Sequence, residues 1–142
     1  MHTIKLLSLK CVEAQAFRGD EVYLKLNGET IWAIQNYKRC MKNKLTKPHF
    51  IDEFDFANGR MKSRAGWEEV PGHNPNDYVF NDLTESVKLE LWDHEHALFL
   101  PDHEDFLGAN IVPQTDDEEG TVVVMFSLNA ACYRLTYELI RS

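Results

Sequence analysis

The strongest constraint on this chain is a period of two. Over residues 87–92 Val87, Leu89 and Leu91 alternate with Lys88, Glu90 and Trp92. That is the pattern of a strand with one buried face. Comparable runs recur at 4–11, 21–26, 29–34, 50–56, 77–81, 106–112, 121–128 and 132–140, with a less regular stretch at 60–70. Asn27-Gly28 separates two of them, and both residues tolerate the positive φ that a tight hairpin demands. Residues 36–47, rich in lysine and arginine, read as a short helix or a basic loop closed by Pro48. About eight short strands with little helix predict an all-β fold, an antiparallel β-sandwich.

The chain has 142 residues, enough for one domain spanning 1–142 with its own core. Its net charge of −8 disfavours nucleic acid, and also anionic membranes unless bound cations reverse the local sign. No apolar run is long enough to span a bilayer, and the N-terminal apolar stretch is broken by Lys5, Ser8 and Lys10. A cytoplasmic or peripheral-membrane location is the expectation. Cys11, Cys40 and Cys132 form an odd set without CxxC spacing. Cys11 and Cys132 read as small buried hydrophobes, with a bridge between terminal strands as the alternative.

One segment concentrates ligand chemistry. The strand at 87–92 runs into Asp93, His94, Glu95 and His96, then Asp102, His103, Glu104 and Asp105, and closes on Phe106-Leu107-Gly108. Calcium takes six to eight oxygen ligands, and several carboxylates in one loop repel each other until a cation arrives.

The run LELWDHE…EDFLG resembles the second calcium-binding loop of C2 domains, and GDEVYLKL at 19–26 resembles that family's Ser-Asp-Pro-Tyr-Val-Lys segment. The tail GTVVVMFSLNAACYRLTYELI is similar to the closing strand pair. The resemblance implies an eight-stranded sandwich that binds calcium (Ca2+) through Asp20, Asp93, Glu95 and Asp105, with a backbone carbonyl near His94. It implies calcium-dependent contact with a phospholipid membrane surface or a protein partner. The family's earlier first-loop carboxylate has no counterpart: it would fall near Ala14, and only Glu13 is close. One ion rather than two is therefore expected.

The residues leave other readings open. His94, His96 and His103, with Asp102 beside them, suit a transition metal better than calcium. A metal-independent interaction module with a solvated loop is the plainer alternative. Leu98, Phe99 and Leu100 form an apolar tip that would either enter a membrane or fold back on the core. Asp52, Glu53 and Asp55 read as one solvated strand face, and residues 116–119 as a solvated turn. No Gly-x-Ser-x-Gly, HExxH, P-loop or GxGxxG occurs, so binding rather than catalysis is expected.

Overall fold

A computed structural model describes residues 1–15, 19–40, 50–95, 103–113 and 119–141, apart from the side chain of Glu95. These form twelve strands: β1 (His2–Glu13), β2 (Val22–Leu26), β3 (Glu29–Ala33), β4 (Arg39–Cys40), β5 (Phe50–Asp55), β6 (Arg60–Ser63), β7 (Gly66–Glu69), β8 (Val79–Leu83), β9 (Val87–Glu95), β10 (His103–Val112), β11 (Gly120–Phe126) and β12 (Cys132–Arg141). The large sheet runs β11-β12-β1-β5-β6-β7, with β4 beside β5 and β8 beside β1. The small sheet runs β10-β9-β2-β3. All pairs are antiparallel except the short β4–β5 pair. Buried residues from both sheets make one contiguous core, including Leu6, Leu9, Phe54 and Tyr133 from the large sheet and Leu24, Leu89 and Leu91 from the small one. The all-β antiparallel sandwich is thus as the alternation predicts.

The extra strands come from the middle of the chain. Residues 60–70 hold a hairpin, β6–β7, where the sequence suggests one strand. Of residues 36–47, the described ones are 36–40: Asn36 closes a 3-10 turn that begins at Ile34, and Arg39–Cys40 form β4. Residues 41–47 lie outside the described residues.

Strand β1 departs from simple alternation in an instructive way. Ile4 and Leu6 are buried, but so are Leu9 and Cys11, which a period of two from Ile4 would turn outward. A register shift between Leu6 and Ser8 resolves this. One extra residue, Leu7, swaps the faces, as a β-bulge does. Its carbonyl accepts from Phe56 N at 2.9 Å, so the bulge is held by the neighbouring strand end.

Three local readings are settled by contacts. Asn27 and Gly28 take φ of 50° and 83°, the geometry of the predicted hairpin turn. Asp55 is not part of a solvated face; it is buried and accepts from Ala57 N, Asn58 N, Asn58 Nδ2 and Arg60 Nε. Burial alone would raise its pKa, but the bonds from Asn58 and Arg60 outweigh that and hold it below the ordinary carboxylate range. Cys11 lies opposite Tyr133, Cys132 lies opposite Glu13, and all three cysteines are free. The terminal-strand bridge is therefore not formed. No helix among the described residues is long and apolar enough to cross a membrane.

Gly108, the last residue of the Phe-Leu-Gly motif, sits at a bulge in β10 with φ of 146°. A Cβ there would lie 3.0 Å from Phe126 Cδ1 and 3.1 Å from Phe126 Cα. Gly108→Val should therefore cost roughly 2–4 kcal/mol, combining backbone strain with overpacking. A shift of the urea unfolding midpoint measures it, and an unchanged midpoint would refute the steric account.

His2 opens β1 almost fully buried, with Nε2 meeting no hydrogen-bond partner among the described residues. Burial first, then the charges of Arg141 and the N-terminal ammonium, hold its imidazole below the ordinary 6.5. The folded state thus resists protonation more than the unfolded chain does. His2 contributes fully above pH 6.5, and stability drains as pH falls from there toward the lower folded-state value. Thermal melts between about pH 7 and pH 5 should show this loss, and His2→Leu should flatten it.

Candidate cation site at one end of the sandwich

The alternation that builds β9 also aims its carboxylate. Val87, Leu89 and Leu91 face the core, and Asp93 continues the same face at 1% exposure. In the β9–β10 ladder Asp105 lies directly opposite Asp93, so the two side chains share that inner face. Like charges directly opposed across a ladder are destabilising. Asp93 Oδ1 accepts from Glu21 N at 2.9 Å, which locks the start of β2 to the end of β9. His94 N donates to Glu21 O at 3.0 Å and extends the lock by one residue.

Asp20 enters from just before β2 and is fully buried. Its backbone exchanges hydrogen bonds with Cys40, at 2.6 Å and 3.0 Å. Its Oδ2 accepts from Gln15 N at 2.7 Å and from the Tyr133 hydroxyl. Tyr133 is held protonated: burial first, then Cys40, Cys11 and Asp20, push its phenol well above the ordinary range. Gln15 then reaches across the site, with Nε2 donating to Asp105 Oδ2 at 3.1 Å. His103 Nε2 is 3.7 Å from the same oxygen. Gln15 and the facing strands therefore connect Asp20, Asp93 and Asp105 at one end of the sandwich.

The other expected residues divide. His94 follows Asp93 in the strand, so its side chain projects to the opposite, outer face. There its Nδ1 is 2.6 Å from Glu104 Oε1, while Tyr23 hydroxyl donates to Glu104 Oε2 at 2.7 Å. Burial first, then the hydrogen bond to Glu104, raise the Tyr23 phenol above its ordinary value. This trio borders a cleft of about 360 Å³ that also touches Lys25 and Gln35. The His94 imidazole accordingly does not join the carboxylates. The backbone of Glu95 pairs with His103. The Glu95 side chain and His96, Leu98, Phe99, Leu100 and Asp102 lie outside the described residues. Among the described residues, no three His, Cys, Asp or Glu side chains converge closely enough to hold a metal ion.

Sequence reasoning missed Gln15 and Tyr133, and it placed Glu104 in the acidic segment without a partner. Tyr133 lies 113 residues from Asp20, and no local pattern links them. Glu104 was recoverable in part, because the β9–β10 register that opposes Asp93 and Asp105 also opposes His94 and Glu104.

The Tyr133 hydroxyl satisfies a buried carboxylate. Tyr133→Phe should cost about 1–3 kcal/mol in urea unfolding, the usual penalty for stripping a donor from such a group. Tyr23→Phe, whose hydroxyl serves a more exposed carboxylate, should cost less than about 0.5 kcal/mol. Equal effects would mean that Asp20 does not depend on Tyr133.

No family model matches the chain. Over 74 residues it is 30% identical to a protein of Pseudomonas syringae pv. tomato named NAD-capped RNA hydrolase NudC, a match covering 45% of this chain. The match spans 26% of that protein's length, about a quarter.

Proposed function

We propose that this chain is a C2-like binding module that takes one calcium ion at the Asp20, Asp93 and Asp105 end and uses the added charge to engage a membrane surface or a protein partner. The observation that carries this reading is the directly opposed pair Asp93 and Asp105 on the inner face of β9–β10. A divalent ion converts their mutual repulsion into shared attraction. The carboxylate oxygens there are of the type a hard cation takes, but Asp20, Asp93 and Asp105 would have to draw together around the ion, since no three such groups among the described residues converge closely enough without it. With a net charge of −8, the chain would approach an acidic surface only once such charge is neutralised. The absence of a nucleophile motif supports binding rather than catalysis. The hydrolase name belongs to the Pseudomonas protein, and a match to 26% of its length carries no activity to this chain.

A second reading is favoured by a different observation. Asp20 Oδ2 already accepts from Tyr133 and Gln15, and Asp93 Oδ1 from Glu21. In this reading the carboxylates pin strand ends, and the module binds its partner without metal.

Calorimetry and thermal melts of chelator-treated protein separate the two. Calcium at about 100-fold over its Kd should stabilise the fold by about 2.7 kcal/mol, visible as a rise of several degrees in Tm. Asp105→Asn should abolish both heat and shift. Absence of either response at millimolar calcium would discard the calcium reading and leave the metal-independent one. A response to zinc but not calcium would return the histidines to consideration.

A further inference from the structure

We propose that β11 is a self-pairing edge: two copies of this chain join β11 to β11, antiparallel, across a two-fold axis at Val123. The two large sheets then continue as one. The inference is independent of the calcium reading.

One edge of β11 pairs with β12, and the other pairs with no strand among the described residues. Such an edge presents a row of backbone N–H and C=O groups that can take another strand. Folded chains usually blunt it with a charge, a proline, a bulge or a short strand. The other marginal strands here are blunted in that way. β3 carries Glu29, β7 carries Glu68 and Glu69, and β10 carries His103, Glu104 and Asp105. β8 carries Asp82, and β4 has only two residues. β11 has none of these devices. It is seven residues long, without proline or charge, and its register with β12 runs from Gly120 to Phe126 without a shift. Although 27% of the chain is charged, residues 120–133 hold no charged side chain.

The same features select the occupant. A charged strand finds no counter-charge on this edge, whereas a neutral β-branched strand fits it, and β11 itself is such a strand. Opposed residues of an antiparallel pair share a face, so a pairing centred on Val123 sets inner positions against inner and outer against outer. Val122 then lies opposite Val124 of the second copy. Both are only partly buried against the core, and the pairing covers what is left. On the outer face, Val123 and Met125 are 54% and 50% exposed. Val123 meets its own counterpart, and Met125 meets Thr121 of the second copy. Within each copy, Met125 lies opposite Arg134 of β12 and Thr121 opposite Glu138. A row across the joined sheet therefore reads Arg134, Met125, Thr121, Glu138, with opposite charges at its two ends. The contact is isologous and closes at two copies.

Seven paired residues span about 24 Å, a small contact beside the roughly 1,200 Å² of a stable interface. The association is accordingly weak, and the net charge of −8 on each copy opposes it.

Sedimentation equilibrium of the whole chain in chelator, from about 5 to about 500 μM, tests the pairing. The apparent mass should rise from 16.5 kDa toward twice that value. Added sodium chloride should tighten the association, because it screens the repulsion between two acidic copies while the neutral edges are untouched. Val123→Lys places like charges directly opposite each other at the axis and should weaken association at least about tenfold. Where Val123→Lys fails to melt cooperatively, Met125→Glu replaces it, with a similar loss expected from repulsion by Glu138 of the second copy. Ile140→Lys alters a residue 45% exposed on the outer face of β12, away from the edge, and should leave association unchanged. A mass that stays at 16.5 kDa throughout overturns the proposal. So does a dimer that Ile140→Lys weakens as much as the edge variants do, since that is patch adhesion and not strand pairing.

Discussion

The β1–β12 ladder is the interaction on which the rest of the sandwich depends. It joins the two ends of the chain along nearly the whole length of both strands, from His2 opposite Arg141 to Glu13 opposite Cys132. On its other edge β1 takes β8 along its first half and β5 along its second. Every other strand of the large sheet is attached through one of these pairings. The bulge at Leu7 makes this hub workable, since Ile4, Leu6, Leu9 and Cys11 can then all enter the core. Such long-range pairing must overcome a large loop-closure entropy before it is rewarded. The register of this ladder also places Tyr133 opposite Cys11, beneath Asp20.

The acidic end follows from the same geometry, carried past the point where the core stops. On β9 the inward positions run Val87, Leu89, Leu91 and then Asp93, so an apolar face turns polar at its last step. The strand positions a carboxylate as firmly as it positions a leucine. What differs is the cost: a buried carboxylate must be hydrogen-bonded or paired. Glu21 N serves Asp93, and Tyr133 together with Gln15 serves Asp20. These bonds tie the start of β2, the end of β9, the end of β1 and β12 into one cluster. The cluster therefore couples four strands at one end of the sandwich. On the reverse side of the same hairpin, His94, Glu104 and Tyr23 form a separate hydrogen-bonded chain facing the cleft.

Strand alternation was legible because it needs only local information. The edges of β2 and β12, the start of β9, the Asn27-Gly28 turn and the all-β class are all written in runs of a few residues, whereas β9 runs on to Glu95, past the Trp92 at which its alternation with apolar residues stops. The middle of the chain was harder. Residues 60–70 form a hairpin whose turn at Ser63–Gly66 carries no strong dipeptide signal. Asp55 looked like one charge on a solvated face, because its partners Asn58 and Arg60 identify it as a turn anchor only after β5 and β6 are paired. Of the proposed site, Asp20, Asp93 and Asp105 could be named from residue type and position. The faces of His94 and Asp93 could also have been separated by applying the period of two one residue further.

The sequence by itself determined the class of the fold and the density of carboxylates near residues 93–105, because both are properties of short segments. Tertiary structure alone decided which of those groups meet. Strand register set Asp93 against Asp105 and turned His94 away from both. The closing of β12 on β1 brought Tyr133 to Asp20, and the chain leaving β1 brought Gln15 between Asp20 and Asp105. The physical reason is that hydrogen bonds and charge pairs depend on distances of a few ångströms, while sequence separation along a sandwich says almost nothing about such distances.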